Sequence, residues 1–461
     1  MRTHPDARGL PLTAVAASAV AAYDRAIEAY LSSAADTAAR VEEVILADPG
    51  MPMAHCLEGY LLNLAGLPET VARAPDSLSA ARRRSEGATE RERAHVDALS
   101  AWCAGDVRGT IDRLEAILME HPRDILAFRI AHYLHFFIGD LFQMRDSAAR
   151  VLARWDESVP GYGYVLGCRA FGLEETGELG AAERDGMRAI EINEHDIWAG
   201  HAVAHVFETG GRPREGIAWV DRYRQAWDGH GTFARHLLWH RCLYFLELEE
   251  HDAVLDQYDT LVWSAPSDDN LDVANAASLL MRLEMAGVDL GRRWESIAEV
   301  SARRVGFHNR PFNDVHMMLA MMRGGRRNSA ARMLEEMRHY GATARTTVAP
   351  IMRDVGVPLS EAIAAYTEGA YARAVDLMLP IRYRWFVIGG SWAQRDVFQR
   401  MLIEAAFAAG RIPLARALLA ERVAAMPRSL PSWRRYATVL DASGDSDAAA
   451  AARREADRLA A

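Results

Sequence analysis

Apolar residues recur at three- and four-residue spacing almost throughout this chain, with Ala, Leu, Arg and Glu dominating the segments. That spacing fits the 3.6-residue turn of an amphipathic helix, whereas the strict alternation that marks strands is scarce. The pattern predicts an all-α chain. Turn-forming pairs break it at short, regular intervals: Gly105-Asp106, Gly139-Asp140, Gly177-Glu178, Gly210-Gly211, Gly324-Gly325, Gly369-Ala370 and Gly410-Arg411. Each stands between helical stretches of roughly four turns.

Residues 161–196 show the repeated plan most clearly. Tyr164, Gly167, Ala170 and Phe171 occupy a first helix, Gly177 turns the chain, Ala181, Ala182 and Ala189 line a second helix, and an Asn-containing link closes the unit. This fits the tetratricopeptide pattern, in which small residues let paired helices approach and larger ones fill the groove between pairs. Similar pairs fall near 90–120, 124–155, 196–227, 232–264, 311–340 and 391–425, with a closing pair over 430–461. The expected fold is an all-α, tetratricopeptide-like superhelix of antiparallel helix pairs. A main array is expected over 1–340 and closing helical pairs over 361–461. Between them, 341–360 is rich in β-branched residues, Gly and Pro, and reads as an irregular hinge or loop.

Composition narrows the chemistry. A formal charge of −10 over 461 residues, with no basic stripe, speaks against a nucleic-acid or membrane partner. All 53 basic residues are arginine. Without lysine there is no Schiff-base aldolase, no pyridoxal-phosphate enzyme and no Walker-type nucleotide site, because the guanidinium stays protonated and cannot replace the amine. Cys56, Cys103, Cys168 and Cys242 are too scattered for a disulfide framework or a cysteine zinc site. Leu12–Ala22 reads as an alanine-rich helix rather than a signal peptide, and no apolar run is long enough to span a membrane, so the expected location is cytoplasmic.

Histidine placement is the least ordinary feature. His55, His95, His132, His135, His201, His205, His236, His240 and His316 all fall on first helices of the pairs, and no second-helix interior is expected to carry one. His201 and His205 stand one turn apart with Glu208 on the same stripe, and His236 and His240 repeat the spacing. If first helices line a concavity, these imidazoles share one groove, with His132 and His135 available from an earlier pair. His-x-x-x-His on a helix is also a metal-ligand spacing. The zincin signature, however, needs glutamate directly after the first histidine, where Ala202 and Leu237 stand. The reading is therefore metal-free acid/base chemistry with no cofactor, and a divalent ion on His201, His205, His236 and His240 is the minor alternative. Trp198 and Trp239 offer stacking walls. Gln394, Arg395 and Asp396 follow a Gly-Gly-Ser helix entry that could receive an anion.

Specific text accompanies this pattern. Trp198, Ala199, His201, Ala202, His205 and Val206 match a W-A-x-H-A-x-x-H-V run, and His236, Trp239 and His240 match H-x-W-W-H, with Leu238 replacing its first tryptophan. With "ERAHVDAL", "GDLFQMRDS", "YGYVLG", "FGLEE" and "GGSWAQRDVF", the chain resembles the tetratricopeptide repeat protein 38 family along nearly its whole length. The resemblance implies the helical-repeat fold and supplies no reaction. The expectation is an enzyme of hydrolase or lyase type acting on a small polar or aromatic molecule. His201, His205, Glu208, His236 and His240 would carry the chemistry. His132, His135, Trp198, Trp239, Gln394, Arg395 and Asp396 would hold the substrate. A homo-oligomer is left open. The alternative is a non-catalytic scaffold binding a peptide or protein partner.

Overall fold

A computed structural model of the chain describes residues 2–460. Among these, helices dominate, and the one sheet is a two-stranded hairpin. The protein has a tetratricopeptide-like helical repeat fold built from antiparallel helix pairs. It divides into two compact units. The first comprises residues 1–203, 224–234 and 343–350, and the second 204–223, 235–342 and 351–461.

In the first unit, helices Glu90–Cys103, Val107–Glu120, Ile125–Phe137, Leu141–Leu152, Tyr162–Glu175 and Leu179–Ile192 form three successive pairs at the expected places. Local chemistry sets their ends. Thr89 and Glu92 close a reciprocal capping box, and the Asp106 and Asp124 carboxylates accept from Gly109 N and Ala127 N. Gly177 turns between the helices of its pair at φ +88°, a conformation that disfavours a Cβ. Small residues bring neighbouring helices together: a Cβ on Gly167 would lie 2.9 Å from that of Ala199, and one on Gly186 2.6 Å from a Val203 methyl.

The second unit packs pairs including Asn270–Met285 with Arg293–Arg303, Pro311–Arg323 with Arg327–Thr343, Trp392–Ala408 with Ile412–Ala425, and Leu430–Ala442 with Ser446–Ala460. Its core is rich in methionine, with Met317, Met318, Met321, Met322, Met333 and Met337 buried together. Unbranched, flexible thioether side chains adapt to irregular gaps between packed helices.

Three expectations change. Residues 2–5 and 11–14 form a hairpin, and the helix read over Leu12–Ala22 begins only at Ala17. The Asp6 carboxylate accepts from Arg8 N and Leu10 N to make the turn, and Glu92 fastens the second strand at Thr13 N and Oγ1 (2.9 and 2.6 Å). Residues 341–360 are helical for most of their length, with a wide turn at Met352–Gly356 leading directly into Val357–Thr367. Because helix Arg327–Thr343 runs to Thr343, His339 lies inside a second helix, against the expectation that none would.

Candidate functional site

The histidine set is divided between the units. In the first, His132 is buried among Phe128, Tyr133, Phe171 and Trp198, and burial, then the Arg129 charge, pushes it well below the ordinary imidazole value. His135 Nε2 lies 3.2 Å from Glu115 Oε1, and its Nδ1 lies 3.5 Å from Asp140 Oδ2. Burial lowers its pKa, but these two carboxylates outweigh burial and hold it above the usual value. Trp198 covers the buried Arg129 guanidinium from 4.4 Å, and Tyr133 does so from 4.7 Å. His201 stacks on Phe171 with ring centroids 5.4 Å apart.

The second unit assembles the rest. His205 and Glu208 lie on helix Ile197–Thr209, and His236 and His240 lie a turn apart on helix Gly231–Glu247. The His205 and His240 rings are 4.4 Å apart between centroids, and those of His236 and His240 are 4.8 Å apart. Side chains four apart on one helix face the same neighbour, so two helices suffice to converge three imidazoles. His240 Nδ1 donates to Glu208 Oε2 at 2.9 Å, and His236 Nδ1 donates to Asn275 Oδ1 at 3.1 Å. Trp239 stacks on His236, with centroids 5.2 Å apart and planes 14° off parallel.

All three imidazoles are interior: relative exposure is 0% for His205 and His240 and 3% for His236. Burial, then neighbouring His236 and Arg395, pushes His205 well below the ordinary value, and burial pushes His236 down to about 4 despite Asn275. Both are neutral rings at neutral pH. Burial also pushes the Glu208 carboxyl up, with Arg282 opposing it.

The three residues after the Gly-Gly-Ser entry are engaged internally. Gln394 closes a capping box with Ser391, Arg395 donates to the Gly390 carbonyl, and Asp396 pairs with Arg422 (2.5 Å) and Arg400 (2.7 Å). Arg400 also reaches Glu247 at 2.7 Å, and Arg282 donates to the Ala393 carbonyl at 2.6 Å. This network floors a groove that sequence reasoning missed. Arg282, Arg400, Arg422, Arg434 and Arg435, with Glu249 and Glu404, line a hollow of about 280 Å³. A signal for it existed: Arg282 follows the apolar run "ANAASLLM" on a helix, where a buried charged side chain must have a partner.

Among the described residues no helix is long and apolar enough to cross a membrane. No family model matches the chain. The chain is similar to human IFIT1 solved as a dimer with m7Gppp-AAAA, at 12% identity over 88% of this chain and 90% of that one, TM-score 0.40. The IFIT1 dimer with PPP-AAAA gives 12% identity over 88% and 91%, TM-score 0.41. The P58(IPK) TPR domain gives 12% over 80% and 93%, TM-score 0.22. The expectation of a hydrolase or lyase acting in a histidine-rich substrate pocket is corrected, because His205, His236 and His240 are buried rather than set around an open groove. The expected small-molecule ligand falls with that pocket, and the exclusion of nucleic acid is withdrawn. The physical reason lies in the packing, since the imidazoles meant for substrate are enclosed in the helical core.

Proposed function

We propose that this chain is a non-catalytic tetratricopeptide-like scaffold whose second unit holds an acidic peptide segment of a partner protein. The supporting observation is the groove lined by five arginines, in which Asp396 and Glu247 hold Arg422 and Arg400 in the floor while Arg434 and Arg435, paired with Glu249 and Glu404, stand where an incoming carboxylate can compete for them. Guanidinium groups pair with carboxylates through two parallel hydrogen bonds and lose less hydration than an ammonium would, which suits a partly enclosed surface. Arg434, its side chain 51% exposed, stands at the rim, while Arg422 and Asp396 form the fixed floor. The sequence runs quoted above support membership of the tetratricopeptide repeat protein 38 family. Four free cysteines suit a reducing compartment such as the cytoplasm.

Fluorescence anisotropy with a labelled Glu-rich peptide tests this reading, using the full chain and its R434E/R435E variant. The expected result is saturable binding that weakens as salt rises and falls at least roughly tenfold in the variant. Absence of peptide binding, or equal binding by the variant, overturns it. So does a clear preference for a 5′-triphosphate oligoadenylate over the peptide.

A further inference from the structure

The most unusual group in the molecule is the convergence of His205, His236 and His240 inside the second unit. Their ligand nitrogens all lie within 4.8 Å of one another. Three buried imidazoles from two helices are a costly way to fill a core, because each carries polar nitrogens that an aliphatic side chain of similar volume lacks. We propose that these three histidines bind a divalent transition-metal ion of the zinc class, which fastens helix Ile197–Thr209 to helix Gly231–Glu247.

The surrounding residues have the form that an imidazole metal site requires. A neutral ring that donates from Nδ1 carries its lone pair on Nε2, so Glu208 and Asn275 fix the tautomers of His240 and His236 for coordination through Nε2. Such a hydrogen-bonded partner behind a ligating histidine holds the ring in the orientation that coordination requires. Nitrogens bound tetrahedrally at ~2.05 Å sit about 3.3 Å apart, so closure from the present spacing takes small side-chain rotations. Imidazole-only ligation selects Zn²⁺, Co²⁺, Ni²⁺ or Cu²⁺ over Mg²⁺ or Ca²⁺, which require oxygen donors. Enclosure makes the role structural.

The experiment measures metal content of the purified full chain, then titrates the chelator-stripped protein with Zn²⁺ and Co²⁺. The expected result is one ion per chain, a Tm lowered by stripping and restored by Zn²⁺, and visible d–d bands of tetrahedral intensity with Co²⁺. H205A/H240A should lose the ion. E208Q, which keeps the fold's volume, should retain the Co²⁺ bands while weakening affinity by roughly 10–100-fold. A stripped wild-type chain, folded by circular dichroism, that takes up no Zn²⁺ or Co²⁺ overturns the proposal. Uptake undiminished in H205A/H240A does so too. If the double variant fails to fold, unchanged affinity in E208Q together with Co²⁺ spectra lacking nitrogen ligation has the same force. Peptide binding at the arginine groove is read separately, so either idea can fail alone.

Discussion

Glu208 Oε2 and His240 Nδ1 share a 2.9 Å hydrogen bond where the histidine is wholly enclosed and the glutamate side chain is only 8% exposed. Removing one partner there leaves the other buried without its hydrogen bond, and the cost of that exceeds the net worth of the bond itself. Glu208→Ala should destabilise the metal-free protein by roughly 1–3 kcal/mol. Urea unfolding checks this, and a double-mutant cycle with H240A should show coupling of about 1 kcal/mol.

Two arginines of the groove should respond oppositely to truncation. Arg422 and Asp396 are both nearly dry, at 3% and 5% side-chain exposure, whereas Arg434 pairs with Glu249 at the surface. Arg422→Ala strands a buried carboxylate that keeps only Arg400 and should cost about 3 kcal/mol. Arg434→Ala should cost under about 1 kcal/mol while lowering affinity for the acidic peptide. Thermal melts of both variants, beside the binding assay, separate floor from rim.

Acid should weaken the second unit through His316. Its Nδ1 donates to the Phe312 carbonyl at 2.8 Å, and burial, assisted by Arg282, pushes its pKa down from 6.5 to about 4. A depressed histidine favours folding above its unfolded value, and that contribution is lost as pH falls from about 6.5 towards 4. The difference amounts to about 3 kcal/mol. Stability against pH should be flatter over that window in His316→Gln than in the wild type, and the His316 ring protons should titrate near 4 by NMR.

Gly200 should not tolerate a methyl group. A Cβ there would lie 2.2 Å from Cζ2 of Trp227, a ring only 2% exposed whose Nε1 donates to the Glu194 carbonyl at 3.0 Å. Gly200→Ala should destabilise by roughly 1–3 kcal/mol through overpacking, seen as a lowered Tm and altered Trp fluorescence.

The helix pairs were legible because their signals are local and redundant. At 90–120, 124–155 and 161–196, the Gly turns, Asp caps and 3.6-residue period all agree with the observed helices. The pair at Asn270–Met285 with Arg293–Arg303 went unread because its turn lacks the Gly-polar signature, whereas Gly369-Ala370 marked the turn between Val357–Thr367 and Tyr371–Met378 and only the start of that pair was lost in the segment read as a hinge. The amino-terminal hairpin was missed because its second strand depends on Glu92, far away in sequence. The same distinction governs the site. Helical spacing alone placed His236 with His240, and His205 with Glu208. Whether those stripes faced an open groove or the interior was set by packing between helices, which periodicity does not encode. The arginine groove joins residues more than a hundred positions apart, Arg282 to Arg422 and Arg434, so no window of sequence contains it.

The arginines around the hollow also have a chemical consequence. A guanidinium keeps its charge across the whole physiological pH range, and lysine-directed acetylation or ubiquitination finds no acceptor in a chain whose 53 basic residues are all arginine. On the proposed reading, the charge of an acidic segment held here can be set on the partner's side, through phosphorylation or the spacing of its acidic residues, while the guanidinium charge of this surface stays constant.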